Sequence, residues 1–99
     1  MPQIRISNEA RQDLGHFFDI LIKNGANDKA KSVIEMILQS LGLLKNLPMA
    51  GSTYPIEGKK FREVLIEYEA SGYACLYSFD KDENLIIIHS IQQRERNYI

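Results

Sequence analysis

Phe61-Arg62-Glu63-Val64-Leu65-Ile66, then Ser71-Gly72-Tyr73-Ala74-Cys75-Leu76-Tyr77, then Leu85-Ile86-Ile87-Ile88-His89-Ser90-Ile91 are three apolar runs separated by turn-forming residues. Each is rich in β-branched or aromatic side chains and too short for a helix of ordinary length, so they read as strands over about 61–67, 73–79 and 85–91. Glu69-Ala70-Ser71-Gly72 and Asp80-Lys81-Asp82-Glu83-Asn84 join them. Connections this short allow only antiparallel neighbours, which makes the three strands a meander.

A meander with one apolar face needs a cover, and the first half of the chain supplies it. Pro2-Gln3-Ile4-Arg5-Ile6 alternates as a short strand over residues 2–6. Ser7 or Asn8 is positioned to cap the helix that follows, and Glu9 suits its positive end. Ala10, Leu14, Phe17, Phe18, Leu21 and Ile22 then recur at helical spacing, predicting a first helix over about 8–23 with these residues toward the core. Asn24-Gly25-Ala26-Asn27 breaks that helix, and Asn27 or Asp28 is the candidate cap of the next. Ala30, Val33, Ile34, Ile37, Leu38, Leu41 and Leu44 give the second stripe, predicting a helix over about 28–46 that stops at Leu47-Pro48. Residues 49–58 carry turn formers and no period, and read as a loop. The expected fold class is α+β, in the order β-α-α-β-β-β, with the helical hairpin on one face of a small, mainly antiparallel sheet. Its 99 residues suit a single domain over 1–99 with one core.

Composition narrows the function. A formal net charge of -1 argues against a protein that coats nucleic acid through bulk electrostatics, and leaves a local basic patch open. Cys75 is the lone cysteine, so neither an intramolecular disulfide nor a thiolate metal cluster can form. The N-terminal residues lack the pattern of a signal peptide, and no apolar run is long enough to cross a bilayer. A cytoplasmic protein without membrane contact is the expectation. There is no His-Glu-x-x-His, Cys pair, Walker loop or Gly-x-Gly-x-x-Gly, so no metal and no cofactor are expected, and the Asp80, Asp82, Glu83 group is a charged turn rather than a calcium loop.

The chemistry-bearing residues gather near the strand ends. Arg62 alternates out of register with Phe61, Glu63 and Leu65, and either meets water, paired with Glu67 or Glu69, or faces a ligand; Lys60 stands beside it. Beyond the third strand come Gln93, Arg94, Arg96 and Tyr98, where guanidinium forks can hold phosphate or carboxylate and a tyrosine can stack or donate. The same residues also suit a solubilising tail. His89 has the pKa range of a general base, but its place inside an apolar strand reads as a half-buried structural histidine. His16 is a weaker candidate still.

Arg-Glu-x-Leu-Ile over residues 62–66, Ser-Gly-Tyr-x-x-Leu-Tyr over 71–77 and Gln-Arg-Glu-x-x-Tyr over 93–98 together resemble the RelE/ParE superfamily of bacterial type II toxin-antitoxin toxins. The resemblance is tightest over residues 61–98 and implies the fold already derived. It also implies one of two activities, since RelE-type members are ribosome-dependent messenger RNA endoribonucleases and ParE-type members poison DNA gyrase; fold alone does not choose. In RelE-type toxins an arginine that stabilises the cleaved phosphate follows the first tyrosine of the strand motif, and Ala74 stands there in this chain. Arg94 matches a second functional arginine, and Tyr98 approximates a terminal tyrosine. The ParE-like ending His-Gln-Arg-Glu-x-x-Tyr is matched at Gln93, Arg94, Glu95 and Tyr98, with Gln92 at the histidine position. The resemblance therefore favours a gyrase inhibitor of the plasmid-stabilisation type, with Arg94 as a contact residue. The alternatives are a ribonuclease with Arg62, Arg94 and Tyr98 as catalytic candidates, and an inactive antitoxin-binding module. Lys60, Arg62, Gln93, Arg94, Arg96 and Tyr98 form the implied target surface. The implied partners are a cognate antitoxin that wraps the toxin, in a complex that can be of higher order, and DNA gyrase, or the ribosome with messenger RNA.

Overall fold

The structure, a computed structural model, describes residues 1–56, 58–68 and 71–95, with the side chains of Pro55, Tyr68, Ser71 and Glu95 outside that description. The elements run β1 (Gln3–Ile6), α1 (Asn8–Lys23), α2 (Asn27–Gly42), a 3-10 turn (Leu43–Lys45), β2 (Ser52–Ile56), β3 (Lys59–Tyr68), β4 (Ser71–Asp80) and β5 (Leu85–Glu95). The five strands form one sheet in the order β1-β5-β4-β3-β2, with β1 parallel to β5 and every other pair antiparallel. This is the expected α+β architecture with one strand more than the sequence showed.

That strand is β2, where a loop was expected. Tyr54-Pro55-Ile56 reads poorly as a strand because proline cannot donate to a ladder, yet β2 lies at the sheet edge, the place where a strand tolerates proline. Gly58, at a φ of 77°, adopts the left-handed backbone in the connection to β3. β3 consequently begins at Lys59, and β5 runs on to Glu95 because Gln92, Gln93, Arg94 and Glu95 pair with Ala74, Tyr73, Gly72 and Ser71. Arg94 is thus a strand residue rather than part of a tail.

Ser7 caps α1, accepting from the Ala10 amide. α2 starts one residue early and has no side-chain cap: Ala26 holds the N-cap position, and neither Asn27 nor Asp28 does. Its last expected turn tightens into the 3-10 segment Leu43–Lys45. The hairpin stripes fill the core as Ala10, Phe17, Ala30, Val33, Ile37, Leu41 and Leu44, with Leu14 and Leu21 partly buried. Phe18, Ile22 and Leu38, expected inward, remain 41%, 38% and 43% exposed. A helix on a sheet buries a stripe only about 100° wide, and these positions lie at its margin.

From the sheet, Ile66, Tyr73, Cys75, Tyr77, Ile86, Ile88 and Ile91 meet the helices, and the Phe17 and Tyr73 rings lie 5.2 Å apart in a tilted contact. The three buried isoleucines of β5, Ile86, Ile88 and Ile91, break strict alternation. Leu76 pairs with Ser90 and Tyr77 with Ile88, so His89 is an extra residue in β5, a bulge. α1 satisfies its irregular backbone: the Ser7 amide donates to the Ile88 carbonyl, the Ser7 hydroxyl donates to the His89 carbonyl at 3.0 Å, and the Ile91 amide donates to Asp13 Oδ2 at 2.9 Å. Without that extra residue, alternation from Ile86 and Ile88 would turn Gln92 and Arg94 toward the helices. With it, Ile91 is buried and Arg94 stands on the face opposite the helices.

Candidate functional site

The sequence-predicted residues fall on two sides of the sheet. Arg62 shares the helix-facing side with Val64 and Ile66, opposite Phe61, Glu63 and Leu65, and lies near the β2 end. Its Nη1 donates to the carbonyls of Met49, at 3.1 Å, and Gly51, at 2.8 Å, so it fastens the segment entering β2. Tyr77 secures the same segment from below: its hydroxyl donates to the Pro48 carbonyl and accepts from the Gly51 amide, both at 2.9 Å. Gly51 admits no side chain there, since a Cβ would stand 2.7 Å from the Glu63 carbonyl oxygen and 2.8 Å from the Tyr77 ring. Lys60 and Arg62 border a cleft of about 620 Å³ beside this segment, with Lys59, Phe79 and Lys81 also in its wall.

Arg94 lies on the other face, paired across the sheet with Gly72. It bonds Glu63 at 3.2 Å, the arginine side chain 54% exposed and the glutamate 21%. Around this pair the outer face presents Leu65, 64% exposed, with the half-buried Leu76 on the neighbouring strand and the small Ala74 buried between them. A half-exposed pair of this kind contributes about 1 kcal/mol or less, so it orients the guanidinium without locking it. Gln93, paired with Tyr73, faces the helix side and is exposed. Arg62 and Arg94 are therefore not brought together. Arg96 and Tyr98 lie outside the described residues.

His89 also sits at the bulge, its Nε2 2.7 Å from the Ser78 hydroxyl and its ring edge-on to Phe61 at 5.0 Å. Burial holds its pKa below the usual 6.5; Glu9 opposes that shift and Lys59 reinforces it. The neutral imidazole is thus a structural member of the sheet surface. Cys75 is buried beneath the helices, and desolvation, helped by the Glu63 charge, pushes its thiol up to about 12. Among the described residues no group of three or more His, Cys, Asp and Glu is placed to hold a metal ion, and no helix is long and apolar enough to cross a membrane.

Sequence reasoning missed Glu63, Asp13, Gly51 and Tyr77. Asp13 carried a signal, for it falls three residues after Ala10 and four before Phe17, inside the apolar stripe of α1 where a carboxylate needs a donor. The Glu63–Arg94 pair carried none, because it depends on the bulge.

This helical hairpin on one face of a mainly antiparallel five-stranded sheet recurs in solved structures of toxin-antitoxin systems. The chain superposes on the chromosomal ParDE toxin-antitoxin system from P. aeruginosa with a TM-score of 0.77, at 19% identity over 96% of this chain and 98% of that one. It superposes on the RelBE2 toxin-antitoxin complex from Mycobacterium tuberculosis with a TM-score of 0.68, at 18% identity over 95% and 100% of the two chains. For the intact E. coli RelBE complex the TM-score is 0.67, at 12% identity over 97% and 100%. No curated protein sequence matches the chain. Residues 4–98 match the ParE toxin of the type II toxin-antitoxin system parDE, and the chain belongs to that family.

Proposed function

We propose that the protein is a gyrase-directed toxin, acting by binding rather than by cutting RNA, and that a cognate antitoxin neutralises it. The carrying observation is the setting of Arg94. Among the described residues, the part of the outer face around Arg94 offers that one guanidinium, already opposed by Glu63, with the exposed Leu65 and the half-buried Leu76 beside it; Arg5, on the same face, lies farther back opposite Ile87. Cleavage of a phosphodiester is accelerated by several donors aimed at the charge that develops on phosphorus, each worth a few kcal/mol. Here Glu63 repels an incoming phosphate, and Arg62 stands on the other side of the sheet, out of reach of a phosphate held at Arg94. Arginine is enriched at protein interfaces and their hot spots, and an oriented one beside apolar surface suits a protein partner whose carboxylate replaces Glu63.

An antitoxin finds its own surface on the helical hairpin and the segment after it, where Phe18, Ile20, Ile22, Leu38, Leu43 and Leu47 remain exposed. A segment that folds on binding would bury them. Two of the structurally similar toxins are described in complex with antitoxins, which supports such a partner. The test is antitoxin-reversible inhibition of supercoiling by purified DNA gyrase, run beside a translation reaction in which messenger RNA is mapped for cuts. Ribosome-dependent cuts with unaffected gyrase would replace this reading by the ribonuclease one.

A further inference from the structure

The cleft at the β2 end belongs to neither surface. It lies at the β2–β3 end of the sheet, lined by residues of both faces, Arg62 and Phe79 from the helix side and Tyr54 and Phe61 from the other, and neither Glu63 nor Arg94 borders it. Three of its cations, Lys59, Lys60 and Arg62, come from the start of β3, and Lys81 comes from the β4–β5 turn. In a chain of net charge -1, four cations around one concavity are a marked local excess, and among the described residues none of its walls is acidic. Phe79 and Tyr54 add aromatic surface to the same walls. Arg62 is held by the Met49 and Gly51 carbonyls, so its charge is fixed at the cleft before any ligand arrives.

Cations that track a phosphate backbone, interleaved with aromatic rings that accept bases, are how proteins hold single-stranded nucleic acid without reading its sequence. The geometry points to the cleft lined by Lys59, Lys60, Arg62, Lys81, Phe79 and Tyr54 as a binding site for one or two nucleotides of a single strand. A cavity of about 620 Å³ has room for a base and its phosphate, and the rings give a base a stacking partner that a purely acidic peptide would not use. The site stands independently of the target of Arg94.

Fluorescence anisotropy with labelled oligothymidylate and oligouridylate of about ten nucleotides tests it, with labelled oligoglutamate of similar length as the competing ligand class. The intact chain binds the oligonucleotides more tightly than oligoglutamate. Replacing Lys60→Gln together with Lys81→Gln, both exposed, lowers affinity and flattens the plot of log affinity against log salt by about 1.4, roughly 0.7 per lost phosphate contact. Phe79→Leu lowers affinity about fivefold or more without changing that slope, and Arg94→Ala leaves oligonucleotide binding unchanged. Circular dichroism confirms that each variant is folded. Absence of binding at low salt, equal binding by the double lysine variant, or preference for oligoglutamate overturns the proposal.

Discussion

Asp13→Ala isolates the contact on which the placement of Arg94 depends. Asp13 Oδ2 accepts the Ile91 amide at 2.9 Å, and Ile91 is 1% exposed, so the lost acceptor leaves a donor that water reaches poorly. A hydrogen bond to a charged group contributes about 1.5–3 kcal/mol net. Alanine returns up to about 0.7 kcal/mol of helix propensity, because aspartate is a poorer helix former. The net loss is therefore roughly 1–2 kcal/mol, which in a domain of this size lowers the melting temperature by about 4–16 °C. Asp19→Ala supplies the control, since Asp19 is exposed on the same helix and reports the propensity gain alone. Urea unfolding followed by circular dichroism measures both variants, and hydrogen exchange of the Ile91 amide reports the bulge itself. Asp13→Asn, which keeps a neutral acceptor, falls between wild type and alanine. The reasoning is refuted if Asp13→Ala is no less stable than Asp19→Ala, or if Ile91 exchanges at the wild-type rate.

Other outcomes follow from the same contacts. Tyr77→Phe removes a buried hydroxyl that serves the Pro48 carbonyl and the Gly51 amide, and costs about 1–3 kcal/mol in urea unfolding. The folded-state pKa of Cys75 is raised to about 12, so the neutral thiol contributes stability that is fully present below its unfolded value near 9 and is lost as pH rises from there toward 12. An unfolding midpoint unchanged across that window would contradict the burial, as would rapid thiol labelling of the native protein at pH 8. His89 has the opposite sign: its folded pKa lies below 6.5, so its contribution is present above 6.5 and falls away as pH drops below it. His89→Gln should flatten the dependence of the urea midpoint on pH in that range.

What the sequence made legible was periodic. The stripes of α1 and α2 and the three long strands were readable because a helix repeats every 3.6 residues and a strand every two. β2 was hidden because Pro55 argues against a strand unless the strand is known to be at an edge, and edge position is a property of the finished sheet. The parallel pairing of β1 with β5 was hidden for a similar reason, since it is set by the helical crossover and not by local composition. The bulge at His89 mattered most for function. One unpaired residue exchanges the two faces of everything after it, so the side on which Arg94 emerges could not be read by counting alternation from Ile86. Arg62 and Arg94 looked like members of one cluster for the same reason, and the fold puts them on opposite faces, Arg62 in register with Tyr77 and Ile88 and Arg94 farther along β5 opposite Gly72. Asp13, conspicuous inside an apolar stripe, was the one written trace of that irregularity.

The proposed gyrase-directed action rests on the pairing of Arg94 with Glu63 beside the exposed Leu65, and a DNA gyrase supercoiling and cleavage assay tests it directly. The purified chain should inhibit supercoiling and accumulate cleaved DNA, and the cognate antitoxin should reverse both. Arg94→Ala, which removes an oriented interfacial charge worth on the order of 2 kcal/mol, should weaken inhibition by about 30-fold while the domain stays folded. Full activity in a folded Arg94→Ala variant, or no effect of the wild-type chain on gyrase, would contradict the account.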